Sequence, residues 1–202
     1  MKAVAVVPSK KELRLVDHPM PQLSDGNQIK VQTLDVGICG TDREICTFVY
    51  GSPPEGDDYL VLGHESLGRV VEVGENVTRL NVGDLVVPSV RRPCSDPNCN
   101  PCSKDKQDYC INGQFTERGI KEVHGFMTEF YVDDEKYFTH VPEDLRELAV
   151  MAEPLTIAEK ASRRLTPSNN AYLGPAPSRA SQKATVYAPS FSGRGRSGFL
   201  AQ

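Results

Sequence analysis

Long apolar runs are missing from this 202-residue sequence. No stretch reaches the ~18 consecutive apolar residues that cross a bilayer as a helix, so no membrane partner is expected. An apolar signal segment is missing too: Met1-Lys-Ala-Val-Ala-Val-Val-Pro8 is too short for one and has the β-branched character of a strand. A cytoplasmic, reducing setting is therefore expected, in which thiols stay free and clustered cysteines bind metal. Acidic residues are missing from one end only. Residues 162–202 hold six basic and no acidic side chains, whereas residues 1–161 hold 17 Lys/Arg and 27 Asp/Glu. The net charge of −4 thus conceals −10 followed by +6, and the composition changes near Ser162. An acidic body argues against a nucleic-acid partner, because phosphate affinity needs a positive surface facing the duplex.

Apolar side chains are almost absent from Pro93 to Cys110, a segment that could not hold a fixed shape by burial alone. What it does contain is four cysteines, Cys94, Cys99, Cys102 and Cys110, spaced C-x4-C-x2-C-x7-C. Four soft thiolates complete a tetrahedron around zinc and leave no position for water or substrate, so the expected site is structural. Metal would supply the missing folding energy, about 10–16 kcal/mol in short Cys-rich peptides. Two disulfides are the alternative, disfavoured by the reducing setting.

Short β-branched runs punctuated by turns occupy the acidic part. Lys2–Val7, Gln28–Leu34, Gly68–Val73 and Asp84–Val87 are separated by turn signals such as Ser24-Asp-Gly-Asn27 and Asn81-Val-Gly-Asp84. Strands so close together, without helices between them, predict a mainly β fold built as an antiparallel barrel. Two short helices are predicted. One is capped by Thr41 or Asp42 and runs to about Tyr50; the other starts at Glu143–Met151 and is interrupted or restarted at Pro154. Residues 162–202 form a basic tail rich in Ser, Pro, Gly and Arg, expected to be disordered apart from a possible strand at Ala184–Ala188. Gly193-Arg-Gly-Arg-Ser-Gly198 fits G-x-G-x-x-G formally, but no strand runs into it and the sequence ends four residues later, so it reads as solvated tail.

A second group of metal-binding residue types lies upstream. Gly37-Ile-Cys39-Gly-Thr41-Asp42 sets a thiol just before a helix, and Gly63-His64-Glu65 offers an imidazole and a carboxylate. A Cys, a His and one acid leave a position open, as a catalytic zinc requires, and the one thiolate and one carboxylate among them neutralise Zn²⁺. Glu153 would be a second, displaceable carboxylate. Spacing alone does not bring these residues together, and a lone Cys or a His-Glu pair is more often structural or solvent-facing.

Gly37–Asp42, Gly63–Glu65, Val82-Gly-Asp84, the cysteine lobe, Glu117–Ile120 with His124–Phe126, and Ala152–Leu155 with Glu159–Ala161 occur in an order that resembles the zinc-dependent medium-chain dehydrogenases, glucose 1-dehydrogenase branch. The resemblance covers Met1 to about Ala161; the family usually has two residues between its first two lobe cysteines, against four here. It implies a GroES-like catalytic domain at 1–161 with its zinc lobe at 93–110, and a Rossmann domain absent or truncated. By resemblance, Cys39, His64 and Glu65 surround the catalytic zinc, Glu65 either as a direct ligand or behind the ligands, Glu153 approaches as a metal or sugar contact, and Thr41 relays a proton, although on its own Thr41 reads equally well as a helix cap. Glu117 and Glu153 would accept hydrogen bonds from an aldose, with a surface ion pair to Arg118 as the bland reading for Glu117. The implied reaction is oxidation of an aldose at C1 to a lactone, with zinc as Lewis acid and NAD(P)⁺ as hydride acceptor, in a homo-oligomeric full-length enzyme. The chain alone is expected to be inactive. A non-catalytic zinc scaffold or sugar-binding module is the first alternative, and a zinc-stabilised nucleic-acid binder the second.

Overall fold

The turn-punctuated runs fold into short strands, which a computed structural model describes over residues 1–165. Strand β1 (Lys2–Val7) pairs antiparallel with β2 (Glu12–Asp17) on one side. Five strands make the larger sheet: β3 (Gln28–Gly37), β5 (Glu65–Val73), β6 (Leu85–Pro88), β10 (Phe130–Asp134) and β11 (Phe138–Val141). Their order is β10-β3-β5-β6-β11, antiparallel throughout. The two-residue β4 (Leu60–Val61) completes the first sheet beside β1. A third ladder joins β7 (Arg91–Arg92), β8 (Thr116–Arg118) and β9 (Glu122–Val123), its last pair parallel. Among the described residues the expected antiparallel β body is present as three sheets, none of which closes on itself.

Alternation along the strands builds the core. Ile29 and Val31 of β3 and Val70 of β5 turn inward onto Phe126, Tyr131 and Phe138. Phe126 is wholly buried, and truncating such a ring to alanine costs about 3–5 kcal/mol. A second cluster packs Val6, Leu60, Leu62 and Ile120 against Ile45. Ile45 belongs to α1 (Gly40–Cys46), whose other buried residue is Asp42, one turn earlier on the same face. That packing fixes the helix whose first turn enters the site.

The helices depart from the sequence expectations in three ways. Cys39, not Thr41 or Asp42, caps α1, and the helix stops at Cys46; Phe48, with φ of 61°, turns the chain away before Tyr50. Glu143–Leu145 and Ala149–Met151 are 3₁₀ turns, and a continuous helix begins only with α2 (Ala152–Leu165). Pro154 falls in the first turn of α2, where a missing N–H breaks no intrahelical bond. The helix also runs past Ala161, the expected end of the folded part. The expected disordered tail from 166 onward, the strand at Ala184–Ala188 and the glycines at Gly193–Gly198 lie outside the described residues. Among the described residues no helix is long and apolar enough to cross a membrane.

Candidate active site and metal centres

Two chain segments deliver the first site, the junction of β3 with α1 and the turn that leads into β5. Cys39 leaves the end of β3 in extended conformation and caps α1: its Sγ accepts from the Thr41 N–H at 3.3 Å, while the Asp42 carboxylate accepts from the Cys39 N–H at 2.9 Å. This reciprocal cap locks the thiol's direction. His64 follows Gly63, which has φ of 91°; a Cβ there would meet Met127 Cγ at 2.7 Å and Met127 N at 2.9 Å, so only glycine makes this turn. Glu65 opens β5 directly opposite Gly37 of β3, and its carboxylate folds into the space that any side chain at 37 would fill. Register shifts between Lys30/Val31 and Thr33/Asp35 re-aim the end of β3 so that this pairing occurs.

The donors converge. One ligand atom each from Cys39, His64 and Glu65 lies within 4.8 Å of the others, with Cys39 Sγ and His64 Nε2 3.2 Å apart. His64 and Glu65 are buried, at 3% and 6% exposure, where any charge requires a partner inside the protein. Behind the imidazole, His64 Nδ1 and Asp42 Oδ1 face each other at 3.5 Å, and both are buried without a hydrogen-bond partner. A short closing movement would pair them, which is the support a metal-bound histidine needs to fix its tautomer. Burial opposes a charged imidazolium, but Asp42 and then Cys39 outweigh it and push His64 up to about 9. The pocket thus has a strong appetite for positive charge at the imidazole, and sulfur, nitrogen and oxygen donors together fit a divalent zinc. The sequence offers Asp42 only as a helix cap, and its place behind His64 is seen in the fold. The Cys39-x-x-Asp42 spacing of a reciprocal cap was the signal that could have found it.

These residues open onto a cavity of about 880 Å³ lined also by Thr41, Glu117 and Glu153. Glu153, from the first turn of α2, stands on the cavity wall outside the group of three converging ligand atoms. Burial raises its carboxyl above the ordinary range; His64 opposes the rise and Glu65 adds to it. Thr41, at the second position of α1, is not its cap. Glu117 is buried, and its partner is Arg91 rather than Arg118: Arg91 Nε and Nη2 donate to Glu117 Oε1 at 3.0 and 2.7 Å. Arg118 instead reaches Asp133, at 2.7 Å.

The second site is the cysteine lobe. Sulfurs of Cys94, Cys99, Cys102 and Cys110 lie within 4.8 Å of one another and are not joined in disulfides. Tetrahedral thiolates about 2.3 Å from a zinc stand about 3.8 Å apart, and Cys99 Sγ and Cys110 Sγ are 3.9 Å apart. Two extra residues between Cys94 and Cys99 leave the sulfurs together, because the loop turns at Asp96, whose carboxylate accepts from the Asn98 N–H. Burial pushes Cys102 up to about 12, whereas Cys110, despite its own desolvation, is drawn down to about 6 by the Asn112 N–H and the neighbouring thiols.

Comparison with known proteins places this geometry. The family described as alcohol dehydrogenase GroES-like domain matches residues 25–143. Glucose 1-dehydrogenase 1 of Vulcanisaeta moutnovskia is 46% identical over 163 residues, which is 79% of this chain and 44% of that protein. Glucose 1-dehydrogenase of Thermoproteus tenax is 43% identical over 183 residues, covering 89% and 50%. The glucose dehydrogenase of Haloferax mediterranei, solved in complex with NADP, Zn and gluconolactone, superposes with a TM-score of 0.74 at 40% identity, over 81% of this chain and 45% of that one. The chain therefore spans about half the length of the relatives it matches. On the family match and these relatives, the chain belongs to the alcohol dehydrogenase GroES-like domain family.

Proposed function

We propose that residues 1–161 are the metal- and sugar-binding part of a zinc- and NAD(P)-dependent aldose 1-dehydrogenase that oxidises glucose or a close relative at C1 to a lactone. One observation carries the reading: Cys39, His64 and Glu65 bring sulfur, nitrogen and oxygen donors together at the floor of a cavity whose walls hold Thr41, Glu117 and Glu153. When bound, zinc supplies a Lewis acid and NAD(P)⁺ a hydride acceptor. Cys39, His64 and Glu65 hold the metal, and Asp42 holds the ring of His64. Glu153 is near enough to these groups to feel their charge and serves as an exchangeable ligand or sugar contact. Thr41 takes the proton of the reacting hydroxyl and passes it to solvent. Glu117, pinned by Arg91, and Glu153 accept hydrogen bonds from the remaining hydroxyls, which suits a polyol because each bound hydroxyl has a donor to satisfy. Cys94, Cys99, Cys102 and Cys110 hold the structural zinc, in a reducing, cytoplasmic setting that keeps them free.

The 202-residue chain by itself is expected to bind two zinc ions and glucose without turning it over, since no described residue forms a βαβ nucleotide fold to set a nicotinamide within hydride reach. Metal analysis of the purified chain and of Cys39→Ala tests the reading. Two equivalents falling to one, with glucose binding lost in the variant, supports it. A Cys39→Ala chain that retains both zinc ions and binds glucose unchanged refutes it.

A further inference from the structure

The cysteine lobe reaches into the sugar cavity. A 3₁₀ turn, Gln107–Tyr109, directly precedes Cys110, and both Gln107 and Asp108 line the cavity. Asp108 grips in two directions: its Oδ1 accepts from Arg91 Nη1 at 3.2 Å, and its Oδ2 pairs with Lys160 Nζ at 2.6 Å. Arg91 is the residue that pins Glu117, and its guanidinium carbon lies over the Phe115 ring, 4.1 Å from its centre. Gln107 adds a second hold, its Nε2 donating to the Arg91 carbonyl at 3.3 Å. Lys160 lies on α2 two turns after Glu153, so the two share a face of that helix. One carboxylate from the lobe therefore ties together the strand pair that carries Glu117 and the helix that carries Glu153.

These ion pairs are too exposed to matter much for folding. The side chains of Asp108, Arg91 and Lys160 are 33%, 30% and 45% exposed, and such pairs contribute about 0–1 kcal/mol each. What they set is direction. Arg91 has three charged contacts through one planar group, so where Asp108 holds it decides where Glu117 points. We propose, on the basis of the aldose reading above, that Asp108 is a positioning residue for the sugar pocket, through which the cysteine lobe acts on sugar affinity as well as on stability.

The test uses the full 202-residue chain loaded with zinc, comparing wild type with Asp108→Asn and Asp108→Glu. Zinc content, melting temperature, glucose affinity by ligand-observed NMR and the Arg91 Nε–Hε resonance are measured on each. Asp108→Asn is expected to keep both zinc equivalents and its melting temperature, to shift the Arg91 resonance and to bind glucose about tenfold more weakly, as loss of one charge-assisted hydrogen bond between a displaced Glu117 and the sugar implies. Asp108→Glu is expected to recover most of that affinity. Equal glucose affinity in wild type and Asp108→Asn overturns the proposal, as does a loss that Asp108→Glu does not recover. If wild type itself binds no glucose, it is the aldose reading that fails; the coupling is then judged on the Arg91 resonance, and a signal unmoved by Asp108→Asn overturns it. Should Asp108→Asn not fold, Lys160→Met, which frees Asp108 Oδ2 from α2 and leaves its Oδ1 on Arg91, is measured instead: weaker glucose binding with a moved Arg91 resonance at unchanged zinc content is expected, and no change in either overturns the proposal.

Discussion

Gly37→Ala puts the three-donor site under direct steric test. Gly37 stands opposite Glu65 across β3 and β5, and an added Cβ would lie 3.0 Å from Glu65 Cβ and 3.2 Å from Glu65 Cδ, with the carboxylate Oε2 closer still. The crowded oxygen is the far end of a flexible side chain, so it can swing away and the sheet can keep its register. Overpacking of this kind costs roughly 1–3 kcal/mol, and every 1.4 kcal/mol is tenfold in an equilibrium constant. Because the strain is relieved by moving Glu65 out of the donor group, the cost falls mainly on metal binding at Cys39 and His64, about ten- to hundredfold, and only slightly on folding. Chelator competition resolves the two zinc sites by affinity, with circular dichroism reporting the fold. One zinc weakened to this extent, the other unchanged, and a melting temperature within a few degrees of wild type is the expected pattern. If Gly37→Ala binds both ions as tightly as wild type, Glu65 is not a ligand and the three-donor site is wrong.

Asp42→Ala removes both the carboxylate behind His64 and half of the reciprocal cap on α1, so zinc affinity at that site is expected to fall about 10- to 100-fold by chelator competition, with about 1 kcal/mol lost in denaturant melts. Cys110→Ser is expected to lose one zinc equivalent and to raise amide exchange across 93–110, since that segment has little else to hold it. Acid should weaken the fold through Asp133: burial alone would raise its carboxyl, but Arg118 and Arg92 hold it below its ordinary value. A depressed carboxylate contributes stability above its unfolded pKa and loses it as the pH falls through the folded one, so denaturant stability should decline below about pH 4. Asp133→Asn should flatten that decline while costing about 3–5 kcal/mol at neutral pH, because buried Arg92 and half-buried Arg118 both lose their carboxylate partner.

The strands that alternate cleanly were legible, and those that build the site were not. Lys2–Val7 coincides with β1, because Val4 and Val6 pack into one core cluster while Ala3 and Ala5 fill another on the opposite face. The expected Gln28–Leu34 and Gly68–Val73 fall short of β3 and β5 by three residues each, at the ends that meet. The missing residues are Asp35, Val36 and Gly37 on one strand and Glu65, Ser66 and Leu67 on the other. Two of them are acidic and one is glycine, residue types that argue against a strand when read by propensity. Their reason for being in a strand is chemical: Glu65 must be buried beside Cys39 and His64, and Gly37 must be small to let it in. Local preference was overruled where the site is, which is where a sequence specifying one fold is expected to break its own rules.

The same logic explains why Cys39, His64 and Glu65 could be named as candidates but not joined from sequence, whereas the lobe cysteines could. The lobe's four sulfurs are contributed within 17 residues, so loop closure alone keeps them close and their spacing is informative. Cys39 and His64 are 25 residues apart, and their 3.2 Å approach depends on the β3–β5 register and on the left-handed Gly63 that sends His64 inward. Arg91 was illegible for another reason: its partners come from separate elements, Glu117 from β8 and Asp108 from the 3₁₀ turn before Cys110, and nothing in the sequence favours Arg91 over Arg118 as the partner of Glu117. Sequence spacing therefore identifies the centre that a short loop can assemble, and only the folded sheet identifies the centre that opens onto the cavity.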